Sequence, residues 1–295
     1  MNLFKKIFGN KPKPENGADA QENEQLENPT ELFMVKLFFE AKPILNDELI
    51  EKELNNRFKI IKFPETSDKA ENSRHYFFND YEVKFAEGNI PAQAIIFIPD
   101  ENKIEYSELN NSFGQSWNWK HAEETVKKCS YEILLTDLMS RNLDYKERVE
   151  YFQKFVAGIV SAMRPNAVWI RNSEVILEPN DFIEKSSHNN YQNVNAFMNV
   201  RLFNIQEEES EMIMDTLGLN SLGLPDFEFR FTDYDPQQIA GLLFNYGNYI
   251  FENGAVIEHG DTIEGIKENE KLKFCLNDSQ LEPKRIVIEI IVANN

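Results

Sequence analysis

Apolar residues along this chain fall into short runs broken by polar turns, and the spacing within each run predicts its element. Leu32-Phe-Met-Val-Lys-Leu-Phe-Phe39 has strand length and too many aromatics for a surface helix. Ile44, Leu45, Leu49, Ile50 and Leu54 form a helical stripe over 43–57, and Phe58 to Phe63 returns as a strand stopped by Pro64. Residues 75–78, 81–85 and 92–98 read as three strands, the last bracketed by Pro91 and Pro99. A helix over 122–128 and a strand over 131–136 follow. The clearest helix spans 145–163, where Val149, Phe152, Val156, Ile159 and Met163 recur at spacings of three and four. Asp144 is its N-cap, Glu147 completes a variant capping box, and Pro165 ends it.

Farther along, 167–170 and 175–177 read as strands around the polar turn 171–174, and 197–203 reads as another. Asp215-Thr-Leu-Gly-Leu-Asn-Ser-Leu-Gly-Leu-Pro-Asp226 reads as a tightly specified turn region, its leucines plugging the core, leading into the strand 227–231. Asp235 caps a helix that begins at Pro236, buries Ile239, Leu242, Leu243, Tyr246 and Ile250, and closes at Gly254. Strands at 272–276 and 285–292 finish the chain. The β-branched character of the last predicts a central position in its sheet. The pattern therefore predicts an α+β fold: a mixed, largely antiparallel sheet system with about four packed helices. No fixed-period repeat is present.

Composition sets the boundaries. Residues 1–30 carry a basic-apolar nonapeptide and Lys11-Pro-Lys-Pro14, then a stretch whose only charges are acidic, which reads as a disordered tail. The α+β domain is expected over 31–295, either as one interlocked unit or as two fused halves meeting near 180–196. Leu3, Phe4, Ile7 and Phe8 share a helical face. They offer weak peripheral docking on a membrane or partner, against the simpler reading of a frayed terminus. Acidic side chains outnumber basic ones 50 to 31, a formal charge of -19. That field repels nucleic acid and anionic lipid and favours a basic protein partner, or serves solubility alone. No stretch has transmembrane length, and no secretory segment is evident, so a cytoplasmic location is expected. Cys129 and Cys275 read as two buried free thiols, with pairing open only if the fold brings them together.

Candidate chemistry is sparse. His75, His121, His188 and His259 show no metal-ligand spacing, and no phosphate loop, nucleophile elbow or cysteine–histidine pair occurs. Catalytic, cofactor-binding and metal residues are accordingly none. Asp226 and Glu228 share one side of a strand and can bind a cation or share a proton, although a solvated strand face is the plainer reading. Glu258-His-Gly-Asp261 reads as a turn in which Gly260 supplies the dihedral and Asp261 bonds backbone two residues onward. Trp117 and Trp119 read as a buried pair or, if exposed, as a binding anchor, and Glu207-Glu-Glu-Ser-Glu211 as a solvated loop or a dock for a basic partner.

Taken in order, Trp119, Cys129 to Asp137, Ala167 to Ile170, Asp215 to Leu219, Gly223 to Asp226, Asn253-Gly254 and Gly260 to Thr262 resemble the bacterial family catalogued as domain of unknown function 4261. The resemblance spans roughly 32–292. It implies a bacterial, cytoplasmic protein and brings no activity and no catalytic residues. For this class of family it suggests an association with toxin-immunity or secretion loci. Three functions compete: a non-enzymatic acidic adaptor or immunity-type factor, an enzyme built on Asp226, Glu228, His259 and Asp261, and a structural component recruited through Leu3 to Phe8.

Overall fold

The computed structural model describes residues 29–63, 71–86, 88–100, 103–205 and 210–293. The nonapeptide face of Leu3, Phe4, Ile7 and Phe8, the acidic stretch after it, and Glu207, Glu208 and Glu209 lie outside the described residues. Two sheets organise the rest. The first joins β1 (Met34–Phe39), β2 (Ile61–Lys62), β3 (Ser73–Phe85), β4 (Gly88–Phe97), β5 (Tyr131–Leu138), β6 (Ala167–Ile170) and β7 (Val175–Leu177) in the order β2-β3-β4-β5-β1-β6-β7. All its pairings are antiparallel. The second joins β8 (Asn199–Asn204), β9 (Met212–Leu217), β10 (Asp226–Phe231), β11 (Thr262–Glu264), β12 (Lys271–Asp278) and β13 (Ile286–Val292) in the order β11-β12-β13-β10-β9-β8. Only β10 and β13 run parallel. The β-branched β13 is central, as its composition requires.

Among the described residues there are six α-helices, two more than the pattern suggested: α1 (Asp47–Asn55), α2 (Asn110–Gly114), α3 (Ala122–Lys128), α4 (Tyr145–Met163), α5 (Pro179–Ser187) and α6 (Pro236–Asn253). The additional two are short. α2 has only five residues, and α5 starts at Pro179 and runs into 180–196, the stretch where two fused halves would meet. α4 has the predicted bounds, and Asp144 accepts a hydrogen bond from the Lys146 amide at 2.9 Å. Arg164 closes it in the left-handed region, ahead of Pro165. Eleven of its nineteen residues are buried, so it runs through the core instead of lying on it. α6 likewise has its expected cap, with Asp235 accepting from the Gln237 amide and Gly254 at φ +83° past the end.

Several expectations are corrected. The strand over 58–63 shrinks to Ile61–Lys62, because Phe58 turns into the core against Phe78, 4.5 Å between ring centroids. The strands over 75–78 and 81–85 are one strand interrupted by a register irregularity between Phe78 and Glu82. Pro91 lies inside β4, opposite Glu82 at that irregularity, and does not bound the strand. The turn region 215–226 begins within a strand, β9, before the turn at 219–222. Leu217, Leu219, Leu222 and Leu224 do fill the core below it. Trp117 is 45% exposed, so the tryptophan pair is not buried as a unit. Both cysteines are buried and free.

One apolar cluster extends from Phe33, Phe152 and Phe155 through Phe182 and Phe197 to Phe227, Tyr246 and Phe274, so side chains of both sheets share it. A smaller cluster on the far face of the first sheet gathers Phe38, Trp169 and Ile176 under α3. The edge of the second sheet is closed by a side chain. Gln115 donates to the Leu202 carbonyl and accepts from the Leu202 amide, both at 2.9 Å, as a neighbouring strand would.

Candidate functional site

The two faces of the second sheet divide the labour. Phe227, Phe229 and Phe231 point one way, with Phe227 5.5 Å from the Tyr246 ring on α6. The alternate residues Asp226 and Glu228 point the other way and are 0% and 1% exposed, which overturns the solvated-face reading. In register, Arg201, Asp215 and Glu228 form one cross-strand row over β8, β9 and β10. Asp215 receives Arg201 Nε at 3.0 Å and Nη2 at 2.5 Å, together with Arg285 Nη2 at 2.6 Å. Arg285 Nε reaches Asp226 at 3.0 Å, and Arg201 Nη1 reaches Glu174 at 2.8 Å. The connection from β12 to β13 folds across this charged face. The Gln280 and Leu281 amides donate to Glu228, and Arg201 donates to the Glu282 carbonyl.

Burial raises the Asp226 carboxyl above its ordinary value, against the pull of the Arg285 charge. Glu228 is raised as well, by burial first, although the two backbone amides favour its charged form. Thr216 Oγ1 and the amides of Leu219 and Asn220 complete the shell of Asp226. These carboxylates are saturated by arginine and backbone donors. They hold the turn at 219–222 to the sheet.

A second buried pair lies on the other side of that turn. Arg148 Nε meets Asp137 at 2.8 Å, and its Nη atoms donate to the carbonyls of Glu31 and Ser221. Asp137 also accepts from the Phe33 amide at 2.6 Å and from the Ser140 hydroxyl. The Arg148 guanidinium lies 4.2 Å over the Phe33 ring. Gly218 is obligatory where the two systems meet. Its φ is +132°, and a Cβ there would stand 2.1 Å from the Phe197 carbonyl oxygen.

Between these systems opens a cleft of about 740 Å³. Its charged lining is Glu31, Glu108, Glu174 and Glu282 against Arg171, and Leu32, Met34, Leu217 and Pro283 supply apolar wall. Asn172 fixes the rim by accepting from the Met34 amide and donating to the Leu32 carbonyl, both at 2.9 Å. Glu174 occupies the left-handed region at φ +52°, a conformation unusual for glutamate, and its carboxylate is tied to Arg201. Asn220 stands at the cleft wall, 6% exposed. Its side-chain Oδ1 is fully buried and has no hydrogen-bond partner among the described residues.

The other sequence candidates do not join this site. Asp261 accepts from the Glu258 amide at 3.1 Å, three residues back rather than two onward, and Gly260 has φ +94°. His259 Nδ1 accepts from the Leu276 amide at 3.2 Å on β12, which β13 separates from β10. Asp226 and Glu228 thus sit in one network, whereas His259 and Asp261 close an exposed turn. Glu211 is paired with Arg230 at 2.5 Å. Among the described residues no group of three or more histidine, cysteine or acidic side chains is arranged to hold a metal ion. No helix of the described residues is long and apolar enough to cross a membrane.

Residues 215–291 match the family model described as Domain of unknown function (DUF4261). That segment is similar to the family, over a shorter span than the 32–292 expected from the sequence. The match begins at Asp215 and takes in β9 to β13 with α6, including Asp226, Glu228 and Arg285 of the charged face. Arg201 and Glu174 belong to the same network but precede the matched segment. No curated protein and no solved structure matches the chain.

Sequence reasoning singled out Asp226 and Glu228 but missed Arg201, Asp215, Arg285 and Glu174 as partners. The signal was there in Arg201, a lone cation inside an apolar strand run, and in Arg285 at the start of another, where a charge must either end the strand or find a buried counter-ion.

Proposed function

We propose that this protein is a non-enzymatic binding factor, of adaptor or immunity type, that holds a basic protein partner at the cleft between its two sheets. The observation that carries this reading is the cleft lining, four glutamates against one arginine on apolar walls, of which Glu174 is paired with Arg201 and Glu108 with Lys36 while Glu31 and Glu282 stand exposed at the rim. The net charge of -19 extends the same field over the whole surface and would steer a cationic partner toward it. The arrangement of the rival groups also favours binding. Asp226 is consumed by Arg285, Thr216 and backbone amides, and the His259 turn lies elsewhere. A cytoplasmic location fits two buried thiols left unpaired, the Cys129 thiol being pushed up to about 11 by burial and so kept unreactive.

Affinity capture from the native host tests the reading. The parent chain is compared with a Glu31→Gln, Glu108→Gln, Glu282→Gln variant, in which exposed rim residues are neutralised and the Arg201 pair is left intact. The parent should retain a basic protein that the variant loses, with slower association and a flatter salt dependence in the variant. A His259→Ala, Asp261→Ala variant should bind as the parent does. Indifference of capture to the rim, or a rate loss confined to Asp261, would sink the binding reading.

A further inference from the structure

We propose that a second cleft, between α6 and the turn at 188–195, binds a neutral saccharide. This cleft of about 570 Å³ has no lining residue in common with the glutamate-lined one. Its size falls within the range of roughly 300–1,000 Å³ common to small-molecule sites. The first pointer is in the backbone. Asn189, Asn190 and Tyr191 have φ of +48°, +53° and +67°, three successive non-glycine residues in the left-handed region. L-residues enter that region singly, asparagine most readily, and a run of three persists only where the surroundings enforce it. The enforcing groups are on the page. Gln153, fully buried on α4, donates to the Tyr191 and Asn193 carbonyls at 2.9 and 2.8 Å. Asn193 donates to the Ser186 and His188 carbonyls at 2.9 and 2.6 Å, and Asn189 to the Gln192 carbonyl at 3.0 Å. On the opposite wall Gly247 lets α6 approach the next stretch of chain, for a Cβ there would stand 2.2 Å from Met198 Sδ. Buried side chains thus hold a strained turn against α6, which is how a pre-organised ligand wall is built.

The chemistry of the walls selects the ligand. Gln192 on the turn, Asn195 after it, and Asn245 and Asn248 on α6 border the cleft. Asn245 and Gln192 are exposed and Asn195 and Asn248 half-buried, so all four are reached from solvent. Asn248 turns its Nδ2 back to the Phe244 carbonyl at 3.0 Å, which leaves Oδ1 to accept from a ligand. A carboxamide sets a donor beside an acceptor, and two adjacent hydroxyls, each both donor and acceptor, satisfy that pair. Phe244 also lines the cleft and is 37% exposed, on the solvent face of α6 with Asn245 and Glu252. Its ring offers a negative face to the C–H groups of a sugar. Other ligand classes fit less well. An anion would meet Glu252, no lysine or arginine in the lining, and a chain of net charge -19. A cation would find Glu252 alone among the amides. An apolar ligand would strip water from the amides without replacing their hydrogen bonds.

The test uses the full chain and a panel of neutral mono- to tetrasaccharides of glucose, galactose, mannose and their N-acetylamino forms. Glucuronate, glucosamine and the blocked tripeptide acetyl-Gly-Asn-Gly-amide serve as controls. Calorimetric titration should give saturable binding of at least one neutral saccharide, with a Kd of roughly millimolar order for a single ring and tighter for a longer chain. Asn245→Ala should weaken that binding by about tenfold at an unchanged thermal midpoint, since alanine is the better helix former at an exposed position. Phe244→Leu, which keeps apolar bulk and loses the ring, should weaken it about fivefold. The Glu31→Gln, Glu108→Gln, Glu282→Gln variant should bind the saccharide as the parent does.

Absence of saturation by every neutral saccharide would overturn the proposal. Preferential binding of glucuronate, glucosamine or the tripeptide would assign the cleft to another ligand class and overturn it equally. Saccharide binding that is unchanged in both Asn245→Ala and Phe244→Leu would place the sugar elsewhere on the molecule, and the cleft would lose its assignment. If Asn245→Ala lowers the thermal midpoint, Asn245→Asp decides in its place. It keeps the shape and loses the donors, so the same tenfold weakening is expected of it, and parent-like binding would overturn the assignment.

Discussion

The first sheet is held by aromatic packing and the second by charge. Around α4 the rings of Phe33, Phe152, Phe155, Phe78 and Tyr151 lie in continuous contact, with centroids 5.4–6.1 Å apart, and among the described residues Arg148 with Asp137 is the one fully buried ion pair there. In the second sheet one face has the same aromatic character, but the other buries Arg201, Asp215, Asp226, Arg285 and Glu228 together. The difference has an energetic meaning. Apolar packing degrades gradually as atoms are removed, whereas a buried charge network is all or nothing, because any member removed strands another in a low-dielectric setting. The segment matched by the family model falls on the charged sheet, so that network, unlike the aromatic core of the first sheet, belongs largely to the part of the chain shared with the family.

The largest effect should therefore come from Asp215→Ala, which deprives two buried guanidiniums of a counter-ion at once. A loss of about 3–5 kcal/mol is expected, read as a shift in urea midpoint at constant m-value. A loss below about 1 kcal/mol would mean that water or rearranged carboxylates replace Asp215 at little cost, and the contrast between the sheets would collapse. Next comes Gly218, where strain and collision coincide. Gly218→Val should cost about 3 kcal/mol, more than Gly223→Val or Gly254→Val, each about 1–3 kcal/mol from strain at positive φ. Gly254 separates the two contributions, since nothing lies within 4 Å of its added Cβ. If Gly254→Val proved as damaging as Gly218→Val, dihedral strain alone would account for both.

A smaller effect distinguishes the charged face by pH. The carboxyl of Glu228 is raised above its ordinary 4.5 by burial. Protonation therefore favours the folded state: this contribution is fully present below the unfolded value and is lost as pH rises through the folded one. Glu228→Gln keeps an acceptor for the Gln280 and Leu281 amides and removes the titration. Its stability relative to the parent should rise as pH increases above 4.5. A constant difference across that range would show that Glu228 titrates alike in both states.

The same contrast explains what could be read from the sequence. Where burial follows apolar periodicity, as in α4, α3 and β6–β7, bounds and caps were legible to the residue. Where burial is carried by charge, they were not. Met212 to Leu217 went unread as a strand because Asp215 and Thr216 look like turn residues, and nothing local reveals that Arg201 and Arg285 lie across the neighbouring strands. Asp226 and Glu228 were rightly paired on one side of a strand, but their burial depends on a connection, 279–285, some fifty residues away. The cleft was invisible for the same reason: Glu31, Glu108, Glu174, Asn220 and Glu282 come from five separate segments.

The smallest expected effect concerns where the body begins. The Glu31 amide donates to the Ser221 carbonyl at 3.3 Å, and the Glu31 carbonyl receives Arg148, so the chain is joined to both sheets' networks from Glu31 onward. Residues 15–28 carry only acidic charges and little apolar surface to bury, with Leu26 their one large aliphatic side chain. Deleting residues 1–28 should therefore leave the thermal midpoint within a few degrees of the full chain and preserve a single cooperative transition. Starting at Met34 should do worse, since it removes the Glu31 contacts to Arg148 and Ser221 and the Phe33 amide and ring that meet Asp137 and Arg148. A marked loss from the shorter deletion would place stabilising contacts upstream of residue 29 and move the domain boundary toward the N-terminus.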